Sequence, residues 1–375
     1  MTAFKWNWQQ KGWPNFTYNE AALKDLEYQF VQTSGIAMGS IKHINANDKN
    51  ELLIEVLSDE AFTTSAIEGE YLDRGSIQES IKKNLGLKTE RQKLPQAEYG
   101  ISELMVNLYQ THAAPLTHEQ LFEWHQMLTN GRRDLMDIGR YRTHEDPMQV
   151  VSGRIDKPTV HYEAPPSSQM TNEMETYVRW FNEIHTVNKT KMLPLAKSGM
   201  AHYYFLAIHP FEDGNGRIAR ALSEKSISMD LRNPSLISLS QIIESNKKEY
   251  YSSIEAHNFK LDLTEWLIYF GKTIITAQNH TIKTIDFLIQ KAKFFDHNSS
   301  LMNERQLKVV QRMFKAGYSG FKGGLSADNY IRIARTSAST ATRDLKDLVN
   351  KSILVKTGEL KSTRYTLNLE FKIVV

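Results

Sequence analysis

Residues 209–217 read His-Pro-Phe-Glu-Asp-Gly-Asn-Gly-Arg and stand between two apolar helical patterns. Upstream, residues 201–208 are apolar on most sides, as a buried helix would be, and Pro210 discourages that helix from continuing. Downstream, Ile218, Leu222 and Ile227 recur at roughly helical spacing, so Gly214, Asn215 and Gly216 fall where the next helix starts. The chain must therefore turn a tight corner between two buried helices. At that corner the free N–H groups of the second helix open into a glycine-lined loop that a phosphate can approach without meeting a Cβ. Arg217 and Arg220 are three apart on one helical face and can fork onto phosphate oxygens. Asp213 would repel bare phosphates and makes better sense as a hard oxygen ligand for Mg²⁺, which bridges phosphates to protein. His209 is an imidazole whose ordinary pKa suits proton abstraction from an alcohol at neutral pH.

The whole string together with Arg220 resembles the Fic family signature, His-Pro-Phe-x-Asp/Glu-Gly-Asn-Gly-Arg-x-x-Arg, with no departure from it. The resemblance implies transfer of AMP from ATP to a Ser, Thr or Tyr hydroxyl of a protein, the chain itself being one such target. It makes His209 the general base and places Mg²⁺ on Asp213. Gly214, Asn215 and Gly216 become the anion hole, Arg217 binds on the β-phosphate side, Arg220 receives the γ-phosphate, and Phe211 anchors the loop in the core. A second stretch, Thr64-Ser65-Ala66-Ile67-Glu68-Gly69, resembles the family's inhibitory helix, which implies that Glu68 pairs with Arg220 in the place of the γ-phosphate. An ordinary helix end with a solvated glutamate is the plainer reading. Removal of AMP from a modified protein, with Glu68 orienting a water, is a further reading of the same motifs.

Residues 149–153 and 159–163 read as two short strands around residues 154–158 and resemble the family's flap hairpin. Its free edge would pair with an extended segment of the target; a plain surface hairpin is the alternative. Asn246, Tyr250 and Tyr251 lie on a predicted helix where Fic proteins offer groups to adenine, although aromatics at helical spacing also serve as core.

The chain has 375 residues, enough for two or three domains, and its 41% hydrophobic and 24% charged content is that of a globular protein. No run approaches the length needed to span a bilayer and residues 1–11 lack a signal core, so no membrane association is expected. The absence of cysteine excludes disulfides and thiolate metal sites and fits a cytoplasmic location. Trp6, Trp8 and Trp13 crowd the N-terminus, where dense aromatics pin a chain onto a domain. The expected fold is mainly α: a Fic-type helical core with a small β-hairpin flap, plus a C-terminal winged-helix domain. The expected organisation is an N-terminal helical region over 1–117 carrying the inhibitory motif, a Fic domain over 118–275, a linker helix over 276–300 and the winged helix over 301–375.

The last segment differs in charge. Residues 301–375 carry 14 Lys and Arg against 6 Asp and Glu, a net of +8, in a chain whose whole net is +3. Helical patterns over 307–314, 327–334 and 340–349 precede a predicted hairpin around Thr357 and Gly358. That order is a winged helix, which can lay its third helix in a major groove and set Lys356, Lys361 and Arg364 near phosphates. Dimerisation and protein docking are equal uses of such a module. A nucleotide-sensing, DNA-binding regulator is thus the second functional class, though a pure sensor needs no base at His209.

Overall fold

A computed structural model describes residues 5–42, 46–89, 93–154, 157–186, 191–317, 320–321 and 323–369. The chain is mainly α. Helices α1 (Glu20–Lys42), α2 (Ala46–Ile67), α3 (Arg74–Asn84), α4 (Gln96–Thr111) and α5 (His118–Leu128) precede an antiparallel hairpin of β1 (Gln149–Arg154) and β2 (Lys157–Glu163). Then come α6 (Met170–Ile184), α7 (Pro194–Ile208), α8 (Asn215–Leu231), α9 (Leu239–Ser245), α10 (Lys247–Glu255) and α11 (Thr264–Asn298). The chain continues through α12 (Glu304–Phe314), α13 (Ala327–Ala334), α14 (Ala338–Asn350) and a second hairpin of β3 (Leu354–Thr357) and β4 (Arg364–Leu367). It divides into two compact units, Met1–Ile36 with Leu53–Thr281, and Ala37–Leu52 with Ile282–Val375; α11 runs unbroken through residues 275 and 281.

In the first unit α7 is the central element. Pro194 opens it, where a missing N–H costs nothing, and its side chains from Leu195 to Ile208 are buried at every position but Leu206. It packs on α8, whose Ile218, Leu222 and Ile227 are wholly buried, as their spacing predicts. Each such side chain stabilises the fold by roughly 1.5–3 kcal/mol relative to an exposed one. The N-terminal tryptophans dock here: Trp6 stacks on Phe259 with centroids 4.6 Å apart, Trp8 Nε1 donates to Glu163 O (2.7 Å), and Trp13 Nε1 donates to Glu173 Oε2 (3.0 Å).

In the second unit, Val309, Val310, Met313 and Phe314 form one buried face of α12 against Leu345, Leu348, Ile353 and Leu354. Its helices are capped by Asn303, Ser326 and Ser337, each accepting from a backbone N–H two or three residues into its helix. Leu325 and Tyr365 exchange both backbone hydrogen bonds (2.8 and 2.9 Å), adding a one-residue third strand to the β3–β4 hairpin. Arg343 and Lys346 on α14, with Lys356 and Lys361 on the hairpin and its turn, are exposed.

Candidate functional site

His209 ends α7 in the left-handed conformation (φ 52°, ψ 59°), which turns the chain sharply toward the loop. Arg142, itself 1% exposed, fixes this corner by donating Nε to His209 O (2.8 Å), Nη1 to Ser167 Oγ (2.7 Å) and Nη2 to Pro165 O (2.5 Å). Phe211 is fully buried and stacked on His125 at 4.2 Å, so the loop is anchored as expected. The Asn215 side chain closes the loop with two bonds, accepting from Phe211 N (3.0 Å) and donating to Phe211 O (2.7 Å). The expectation for Asn215 is thereby divided: its side chain braces the loop, and only its N–H, with that of Gly216, is free of intrahelical partners at the start of α8. Gly214 takes φ 84°, a conformation costly for any residue with a Cβ.

The ordinary imidazole pKa expected for His209 is not what burial leaves. Desolvation first, then the positive charge of Arg142, lower it to about 4, against opposing effects of the Leu206 carbonyl, Glu68 and Asp213. The ring is therefore neutral at neutral pH and open to a proton.

Both arginines of α8 face acids from one turn. Glu68, just past the end of α2, accepts from Arg220 Nη2 at 2.7 Å, while Arg220 also donates to Thr64 Oγ1 (2.7 Å) and Thr64 O (3.0 Å). Two residues on, Glu70 accepts from Arg217 Nη1 at 2.6 Å. Lys247 Nζ and Tyr251 OH reach Ala66 O and Ile67 O, both at 3.4 Å, and hold the end of α2. Glu60 on α2 and Glu224 on α8 are buried together, with Ser240 donating to Glu60, and burial raises the pKa of both. A Cβ at Gly216 would collide with Glu68 Oε1, so Gly216 is what lets the glutamate sit over the start of α8. Arg220 Nη1 is buried with no hydrogen-bond partner among the described residues.

Asp213 accepts from Arg132 Nη1 (2.6 Å), Gly214 N (2.6 Å) and Arg217 Nη2 (3.3 Å). Burial works to raise its pKa, but Arg217, the Gly214 N–H and Arg132 together outweigh this and hold it below the usual carboxylate value. Among the described residues no cluster of three or more His, Cys, Asp or Glu gathers to hold a metal. An ionised carboxylate at the start of α8 still fits Mg²⁺, which needs only one or two carboxylates when other oxygens and waters complete its shell.

His209, Glu68 and Gly216 border a cavity of about 520 Å³, the size of a small-ligand site, between the β1–β2 flap and α7, α8 and α10. Glu68, His209, Gly216, Tyr250 and Tyr251 line it; Asp213, Gly214, Asn215, Arg217, Arg220 and Asn246 do not. Asn246 (φ −128°, ψ 34°) separates α9 from α10 where a single helix is expected, and its side chain makes no capping hydrogen bond. Tyr250 is buried with its OH 2.8 Å from His202 Nε2, whereas Tyr251 is 42% exposed. The flap strands pair with a bulge between Val150 and Val151, and their tip at residues 155–156 lies outside the described residues. Glu70, Arg132, Arg142 and the flap pair Ser152 and His161 were not legible in the sequence, because each meets its partner across a fold rather than along a motif.

Residues 115–226 match the Fic/DOC family, and residues 6–87 match a domain of unknown function, DUF4172. Protein adenylyltransferase fic-1 of Caenorhabditis elegans is 24% identical over 215 residues, 56% of this chain and 38% of that protein. Protein adenylyltransferase Fic of Drosophila ananassae is 29% identical over 128 residues, 34% of this chain and 24% of that protein. The chain thus spans well under half the length of these relatives. A Fic family protein of Desulfovibrio desulfuricans G20 shares the fold, with a TM-score of 0.54 at 19% identity, covering 94% of this chain and 98% of that one.

Proposed function

From a chain that carries a Fic/DOC-family domain over residues 115–226, we propose a protein adenylyltransferase that moves AMP from ATP to a Ser, Thr or Tyr hydroxyl and is held off by its own Glu68. The observation that carries this reading is the Glu68–Arg220 contact at 2.7 Å, directly over the glycine-lined start of α8 and beside a neutral His209. The adenine lies against Tyr251 and the edge of Tyr250. The N–H groups of Asn215 and Gly216 hold the α-phosphate, Arg217 the β-phosphate and Arg220 the γ-phosphate. Asp213 is the carboxylate for Mg²⁺, which when bound neutralises charge on the phosphates. His209 takes the proton of the incoming hydroxyl as it attacks the α-phosphorus, and pyrophosphate leaves toward the two arginines. Glu70 adds to the block by occupying Arg217, a contact no sequence pattern announced.

Labelled ATP supplied to the parent chain and to Glu68→Gly in a cell lysate tests this. Label should pass to protein strongly only in the variant. Label staying on ATP in both would overturn the assignment.

A second role is supported by the exposed Arg343, Lys346, Lys356 and Lys361 of the basic C-terminal unit, arranged as helix, helix, helix and hairpin. That surface suits duplex DNA, with α14 as the reading helix.

A further inference from the structure

The flap carries a hydrogen-bonded chain that the transfer reading leaves unused. Ser152 Oγ lies 2.6 Å from His161 Nε2, and His161 Nδ1 lies 2.8 Å from Glu255 Oε1 at the end of α10. With the Nδ1 proton given to the carboxylate, Nε2 is left to accept from the hydroxyl. A serine on an imidazole that is itself oriented by a carboxylate is the arrangement that turns a weak alcohol into a nucleophile. Strand pairing does not require it, since Ser152 is already registered opposite Thr159 by the backbone. All three residues line the same cavity as His209 and Gly216, so the hydroxyl is presented to whatever occupies that cavity.

Resting on the nucleotidyl-transfer reading, we propose that Ser152 is an internal acceptor of AMP, with His161 as its base and Glu255 as the residue that positions His161. Ser152 Oγ attacks the α-phosphorus of ATP while the bond from that phosphorus to the oxygen bridging the β-phosphate breaks. The hydroxyl proton passes to His161 Nε2 and pyrophosphate departs, leaving a phosphodiester on Ser152. ATP is the only co-reactant. His209 remains the base for hydroxyls brought by other proteins, so the cavity holds two bases serving two acceptors.

The test uses the full chain with Glu68→Gly, incubated with ATP and Mg²⁺ and mapped by peptide mass spectrometry, with a lysate labelled in parallel. AMP is expected on the peptide containing Ser152, lost in Ser152→Ala and retained in Ser152→Thr, which keeps the hydroxyl. His161→Asn should slow this self-labelling on the order of a hundredfold or more. Glu255→Gln should lower its rate constant without changing the ATP concentration for half-maximal rate, and Glu255→Asp should restore part of it, which a merely structural role would not do. Labelled lysate proteins with no AMP on Ser152 would overturn this inference and leave the transferase standing. No label on either would overturn both.

Discussion

Replacing Glu68 by glycine should free Arg220, and the size of the effect can be worked from the contact itself. The pair is charge-assisted at 2.7 Å, with the Arg220 side chain 1% exposed and that of Glu68 28% exposed. A hydrogen bond between charged groups contributes about 1.5–3 kcal/mol, and the solvated side of Glu68 places this one near ~2 kcal/mol. A γ-phosphate that no longer has to displace it should bind about 30-fold more tightly. Glu70 is 35% exposed in its pair with Arg217, so Glu70→Gln should gain nearer ~1 kcal/mol, about fivefold. The two variants are separable by ligand. Calorimetric titration with a non-hydrolysable ATP analogue and with ADP, each with Mg²⁺, should show Glu68→Gly improving the triphosphate while leaving ADP nearly unchanged. Glu70→Gln should improve both. Equal gains for ATP and ADP in Glu68→Gly, or no gain in either, would refute the assignment of Arg220 to the γ-phosphate.

His209→Ala should abolish labelling of target proteins while ATP binding persists, a loss on the order of a hundredfold or more in rate; unchanged labelling would refute its role as base. In the Glu68→Gly background, Arg220→Ala should give the same weak ATP binding as Arg220→Ala alone, because the glutamate then has nothing to compete for. Burial lowers the pKa of His125 and His209 to about 4 and of His202 to about 3, below the unfolded value of about 6.5. Stability from these rings is present above pH ~6.5 and lost as pH falls toward 4, so the melting temperature should drop across that window, and less steeply in His125→Gln. Duplex DNA should bind the full chain with affinity that falls steeply with salt, and Arg343→Glu with Lys346→Glu should weaken it; no binding at low ionic strength would remove DNA as a partner.

How far the sequence reached follows from where each signal resides. The corner at residues 209–217 is written contiguously: Pro210 ends one helix, the glycines start another, and the apolar spacing of Ile218, Leu222 and Ile227 says which face is buried. Glu68 was legible because helix, glutamate and glycine stand in a short pattern. Its neighbour Glu70 was not, since its partner is 147 positions away and a solvated glutamate after a glycine looks the same on paper. No sequence pattern singles out Arg142; only the fold shows it spending its donors on the backbone of His209 and Pro165. The neutral state of His209 is likewise a product of burial, which no local motif encodes. Asn246 shows the reverse failure, where an apparently continuous helical run hid a break between α9 and α10.

The empty volume at Gly216 has two claimants. On the proposed reading the phosphate needs a position with no side chain to reach the N–H groups of α8, and Glu68 needs the same position bare where it lies against Arg220. Inhibitor and substrate thus compete for one absent atom as well as for one guanidinium. A side chain placed at Gly216 would push the Glu68 carboxylate aside, and on the proposed reading it would also crowd the phosphate. On that reading, changes on the opposite wall, in residues 64–70 or in the Lys247 and Tyr251 contacts that hold the end of α2, would shift the glutamate without placing an atom in the loop.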